Sequence, residues 1–235
     1  MDSYTYTSPY AAANAQPSER AAFIRQTYNH LSFAILGFIL IEAIIFSIPG
    51  IDAKLATLMA GRASWGIVLL LFIGVSWIAN RWAQSDASRG KQYLGLIVYV
   101  LAEAIIFVPM LYVARMMTGD NSLILQAGIV TGLLFFGITA VAFITKKDFS
   151  FLGGFLAMAG FVALGVIVCS LIFGFTLGVI FSGIMCLVAS GCILYTTSQI
   201  IHNYRTDQYV AASLALFASV ALLFWYVLRI FMDRR

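Results

Sequence analysis

The chain has 235 residues, of which 62% are hydrophobic and 10% charged, with a net charge of +4 and a mean hydropathy of +0.95. A soluble domain carries about 25% charged residues because its surface must face water, so this composition excludes a water-soluble globular fold and makes lipid the solvent. The small positive charge sits at the ends of apolar runs, where it sets orientation, and this excludes a nucleic-acid-binding patch.

The first 20 residues, MDSYTYTSPYAAANAQPSER, are polar and contain no basic stretch leading into an apolar core. They predict no removable signal peptide, and residues 1–24 read as a disordered cytoplasmic tail. From residue 25 onward the chain predicts an all-α, polytopic membrane domain. A bilayer-crossing helix needs about 20 apolar residues, and seven segments qualify: 28–48, 64–80, 93–114, 122–144, 150–172, 177–201 and 208–231. The connectors are short and polar, with Gly, Pro, Asn or Asp as punctuation: PGIDAKLATLMAGR, NRWAQSDASRGKQ, TGDN, TKKD and HNYRTD.

Lys and Arg in short loops decide orientation. The side of the N-terminus collects eight of them, Arg20, Arg25, Arg81, Arg89, Lys91, Lys146, Lys147 and Arg205, against Lys54, Arg62 and Arg115 opposite. This predicts a cytoplasmic N-terminus. The closing RIFMDRR adds three arginines to the far side, so the majority becomes eight against six; a full seventh crossing remains the expectation.

Within the first and third segments the chain places Glu42, in LIEAIIFSIP, and Glu103, in LAEAIIFVP. An ionised carboxylate at mid-bilayer costs about 3 kcal/mol on insertion scales. Protonation is one escape, and a basic partner another; Arg81, Arg115 and Arg229 all lie near segment ends, and His30 is close to a membrane face. Two readings stand side by side. Each glutamate is neutral and bonded to a Ser, Thr or carbonyl of a neighbouring helix, or the two line a polar path for protons or cations. Pro49 and Pro109 follow them and predict a kinked or terminated last turn.

Small residues let helices approach closely in lipid. Gly128 and Gly132 form a GxxxG in the fourth segment, Gly153 and Ala157 a similar notch in the fifth, and Ser182, Cys186 and Ser190 one face of the sixth. Cys169, Cys186 and Cys192 lack metal-ligand spacing and read as buried thiols. No phosphate loop, GxSxG, HExxH or intramembrane aspartate pair is present, so catalysis is not expected, nor is a cofactor or bound metal.

The stretches TKKDFSFLGGFLAMAG, ASGCILYTTSQIIHN and DQYVAASLALF, with FIRQTYNHLSFAIL at the first segment, resemble the Bax inhibitor family, specifically its bacterial YccA-like branch. The residues make sense unaided. Asp148 can cap the fifth helix, Gly153 and Gly154 open a packing face, and His202 can change charge near neutral pH. The resemblance implies seven helices with the last surrounded by the other six. In calcium-leaking members two aspartates on the sixth and seventh helices form a proton-sensitive latch; here the matching positions are Thr196 and Ser219, so the latch is missing. The resemblance further implies a bacterial inner membrane, a lipid bilayer as surroundings, and association with FtsH, a membrane-anchored ATP-dependent protease that such proteins restrain. The alternative is a pH-responsive calcium or proton leak using Glu42 and Glu103.

Overall fold

A computed structural model describes residues 12–59, 61–84 and 88–234. After one 3-10 turn at Ala12–Asn14 come eight helices: α1 (Pro17–Ser47), α2 (Ile51–Met59), α3 (Arg62–Ala83), α4 (Arg89–Thr118), α5 (Ser122–Thr145), α6 (Leu152–Phe173), α7 (Val179–His202) and α8 (Tyr209–Asp233). Seven of these, all but α2, are long and apolar enough to cross a membrane. The protein is an all-helical, multi-pass membrane protein.

Two boundaries differ from the sequence expectation. First, α1 starts at Pro17, where the fixed φ of proline suits a first turn and Glu19 complements the helix dipole. Ordered structure therefore reaches into the segment expected to be a disordered tail: Ala12 is fully buried, its N–H donates to the Tyr204 carbonyl at 2.8 Å, and Arg20 donates to the Ile201 carbonyl at 3.3 Å. Residues 1–11 of that tail lie outside the described residues. Second, the connector PGIDAKLATLMAGR contains α2. Its nine residues span only about 14 Å, too short to cross. It buries Ala56 and Met59 and leaves Leu58 outward.

Helix α8 is the axis of the bundle. It packs along α7, α1, α5 and α4 and more briefly α3, and it buries apolar residues on nearly every side, from Val210 through Leu228. In lipid an apolar face can be buried or can meet the bilayer, so it is the packing of neighbouring helices that places α8 inside. Helix α6 is peripheral, joined to α7 and α3 and meeting α8 in a satellite cluster of Ala163, Met185 and Tyr226. At 25 residues α8 is about 37 Å long, and near its end Arg229 Nη2 donates to the carbonyl of Leu177, in the α6–α7 connector, at 2.9 Å. The last helix thus runs the length of the bundle and ends on the face opposite the start of α1; it is long and apolar enough for the full crossing expected of it.

Glycines decide how close the helices come, though only some of those the sequence singled out. A Cβ on Gly95 would lie 2.5 Å from the Ala79 carbonyl and 2.8 Å from the Ala83 nitrogen, so α3 and α4 cross with backbones touching. Gly153 packs under the Tyr195 ring, with its atoms about 3.1 Å from where a Cβ would stand. Gly154 faces open space, as do Gly128 and Gly132, so the GxxxG motif of α5 makes no internal packing notch. The motif points outward because Ala127, Thr131 and Phe135 occupy the buried face of that helix. Pro49 follows the end of α1, whereas Pro109 lies inside α4, which continues to Thr118. Pro109 leaves the Ile105 carbonyl without its helical donor.

Candidate functional site

A cavity of about 670 Å³ opens between α3, α4, α6, α7 and α8. It exists because α6 stands off from α8, leaving wall residues Trp65, Phe107, Phe181 and Trp225 around a largely apolar space. Stacked rings firm the wall: Trp65 and Trp225 lie 5.9 Å apart, and Phe107 and Phe224 5.6 Å apart.

Several polar or reactive groups mark its length. Glu103 and its neighbour one turn earlier on α4, Tyr99, lie in the lining together with Ser219 of α8 and Cys192 of α7. The Tyr99 hydroxyl is the polar neighbour of the Glu103 carboxyl. Ser219 spends its proton on the Ala215 carbonyl at 2.9 Å and offers the cavity only an oxygen. Arg229 stands about 15 Å further along α8 from Ser219, beside Gly174–Leu177, and its Nε is shielded with no hydrogen-bond partner. The cavity therefore has a carboxyl at one end and a guanidinium near the opposite face.

The structure separates the two glutamates that the sequence paired. Glu103 is 6% exposed and lines the cavity; Glu42, 7% exposed, does not. Both carboxyl oxygens of Glu42 are sealed from solvent and have no hydrogen-bond partner. Among the described residues the Ser, Thr or carbonyl partner expected for it is not there; one turn earlier on α1, Phe38 packs on Phe107 and Phe217. Of the two positions matching the family aspartates, Ser219 faces the cavity and Thr196, also buried, is outside its lining.

The end of the bundle that carries the start of α1 holds the other predicted site residues. Asp148 does not cap α6, since the helix begins four residues later at Leu152. Instead its carboxylate accepts the Ser150 N–H at 2.9 Å and the Ser150 hydroxyl, which holds it below the ordinary aspartate range; the nearby His202 acts in the same direction. Ser150 then accepts from Gln199 and Asn203, both at 3.1 Å, and Ser198 accepts the Phe149 N–H at 2.8 Å. This network ties the α5–α6 turn to the end of α7. His202 is half-buried beside it, with Nε2 shielded and unpartnered.

Sequence reasoning missed Tyr99 and Arg229. The i, i+4 spacing of Tyr99 and Glu103 is a readable signal; nothing in the sequence shows that α6 leaves room for Arg229 to turn inward.

A central last helix, five long helices packed along it, a sixth standing off and a carboxyl-bearing cavity in the gap define a polytopic membrane protein with an internal polar site. The family model described as "Inhibitor of apoptosis-promoting Bax1" matches residues 20–235, and the chain belongs to this Bax inhibitor family. It is 29% identical to Protein LIFEGUARD 1 of Arabidopsis thaliana, covering 90% of this chain and 88% of that protein. It is 28% identical to Bax inhibitor 1 of Schizosaccharomyces pombe, covering 98% and 82%. An uncharacterised protein of Pseudomonas aeruginosa is 38% identical over 124 residues, which cover 52% of this chain and 55% of that one.

Proposed function

We propose that the chain is a proton-responsive leak for protons or calcium, with Glu103 as the carboxyl that governs the path. The observation that carries this reading is that Glu103 lines a cavity of about 670 Å³ together with Tyr99 and Ser219. A carboxyl inside a bilayer is costly and marks ion or proton pathways. Here it takes the role that the family's aspartate latch, absent at Thr196 and Ser219, plays elsewhere. Glu42 stands apart from the path. The role is non-catalytic: it needs a carboxyl that gains and loses a proton and a narrow polar route, with no bond made or broken in a substrate.

Protein reconstituted in liposomes should pass calcium or protons, with the flux rising or falling across the acid range. Glu103→Gln should remove at least tenfold of it and flatten the pH profile, whereas Glu42→Gln should leave both intact. Equal flux in wild type and Glu103→Gln would end this reading.

A second reading, modulation of a membrane-anchored protease such as FtsH, is favoured by one observation. Ala12 docks on Tyr204, in the α7–α8 turn next to the TSQIIH stretch that carries part of the bacterial resemblance. This reading goes with a bacterial inner membrane and a cytoplasmic N-terminus. It requires FtsH to co-purify with the chain and to lose that association when residues 1–11 are deleted.

A further inference from the structure

At the N-terminal face a hydrogen-bonded chain through one imidazole links α1 to α4 and α8. His30 Nδ1 lies 2.7 Å from the Gln26 carbonyl, its Nε2 lies 3.0 Å from the Tyr93 hydroxyl, and that hydroxyl lies 3.3 Å from the Tyr209 hydroxyl. A carbonyl only accepts, so Nδ1 carries the hydrogen. In the neutral ring Nε2 must then accept from Tyr93, whose proton is thereby committed, and Tyr209 must donate to the Tyr93 oxygen. The chain has one direction, from Tyr209 through Tyr93 and His30 to the Gln26 carbonyl.

We propose that His30 is a proton-binding site and that this three-helix clasp reverses when the proton binds. A second proton on Nε2 makes both ring nitrogens donors, so Tyr93 must accept and turn its own hydrogen toward Tyr209. The ring also becomes a cation 4.9 Å, centroid to centroid, from the Tyr209 ring, which already carries the Arg89 guanidinium at 4.8 Å.

The surrounding charges sharpen this effect. From α4, Tyr93 and Arg89 face the site and Lys91 is exposed beside it. From α8 and its preceding turn come Tyr209 and Asp207. Asp207 is held by Arg205 at 2.6 Å, while its carbonyl accepts from Arg89 at 3.3 Å. On α1 itself Arg25 is exposed, the 3-10 turn supplies no ionisable side chain, and Asp52 and Lys54 of α2 lie at the far end of α1. Among the described residues, the carboxylate at this site, Asp207, is thus paired with arginine. A new positive charge on His30 competes with Arg89 for Tyr209, so binding it loosens the hold of α8 on α4.

Those two helices also supply the cavity wall with Glu103 and Ser219. The link from clasp to conduction rests on the leak reading above; the clasp itself stands on the hydrogen bonds.

Two measurements separate them. In lipid nanodiscs, 15N-histidine spectra of His202→Gln contain His30 alone, since the chain has two histidines. The Nδ1–H tautomer is expected at alkaline pH and the doubly protonated ring on acidification, with a midpoint that moves on Tyr93→Phe. The Nε2–H tautomer, or a midpoint indifferent to Tyr93→Phe, would overturn the clasp.

The second measurement uses Cys169→Ser/Cys186→Ser protein, in which Cys192 of the cavity is the remaining thiol. Its labelling by a methanethiosulfonate is compared with and without His30→Gln at each pH, so that thiol ionisation cancels in the ratio. The ratio should change severalfold across the titration. A constant ratio overturns the link to the cavity, and no labelling at any pH overturns the leak reading while leaving the clasp to the spectra.

Discussion

A carboxyl sealed from water with no donor to either oxygen, as at Glu42, carries a desolvation cost that no neighbour offsets. Replacing it by methionine of similar length should therefore raise stability by about 1–3 kcal/mol, measured as a higher thermal midpoint in detergent. An unchanged or lower midpoint would mean that a polar partner reaches Glu42 in the membrane. Glu103 meets different surroundings, with Tyr99 beside it and a cavity in front, so Glu103→Met is expected to change flux more than stability. The sequence showed both residues in the same pentapeptide, EAIIF, and rightly marked them as costly. It could not separate them, because burial between helices or beside a cavity depends on which helices flank each one.

Among the helices, the contact between α3 and α4 is the least forgiving. Gly95→Ala forces a methyl group against the Ala79 carbonyl and the Ala83 nitrogen, and neither backbone atom can turn aside. A loss of about 1–3 kcal/mol is expected, as for overpacked cores, and is readable as a lower thermal midpoint. Gly132→Ala places its methyl in open space and should be neutral or stabilise by about 0.5–1 kcal/mol through helix propensity. A strong loss at Gly132 would show that the outward face of α5 is packed in the membrane. Motif matching favours Gly128 and Gly132 over Gly95, which has no small partner four residues away in the sequence. Its partner is the backbone of another helix, and this is invisible to any pattern along one chain.

At the scale of the whole molecule, the N-terminal face is stitched by loop carboxylates. Asp148 is held below the ordinary aspartate range by Ser150, and Asp207 below it by Arg205. A depressed folded value contributes stability that is full above the unfolded value of about 3.9 and fades as pH falls through the folded one. Hydrogen exchange in residues 146–151 and 203–208 should thus stay slow near neutral pH and quicken only below about pH 4. Because both groups are largely exposed, the effect should remain local to these turns. Faster exchange already at pH 6 would assign the stitching to a histidine instead.

Composition and hydropathy by themselves determined the membrane class, the seven crossings and their approximate limits, because lipid forces every spanning backbone into a long apolar helix. The charge of the connectors gives only an expectation of orientation, which needs no contact to be read. Tertiary structure alone decided that α8 is the axis, that α6 stands aside to leave a cavity, and that Glu103 enters it while Glu42 does not. It also decided that His30, unremarkable within α1, meets Tyr93, 63 positions further along the chain, and through it Tyr209, a further 116 positions on. In an apolar alphabet nearly every helix face is greasy enough to be buried or to face lipid, so shape complementarity between helices selects the neighbours and periodicity does not.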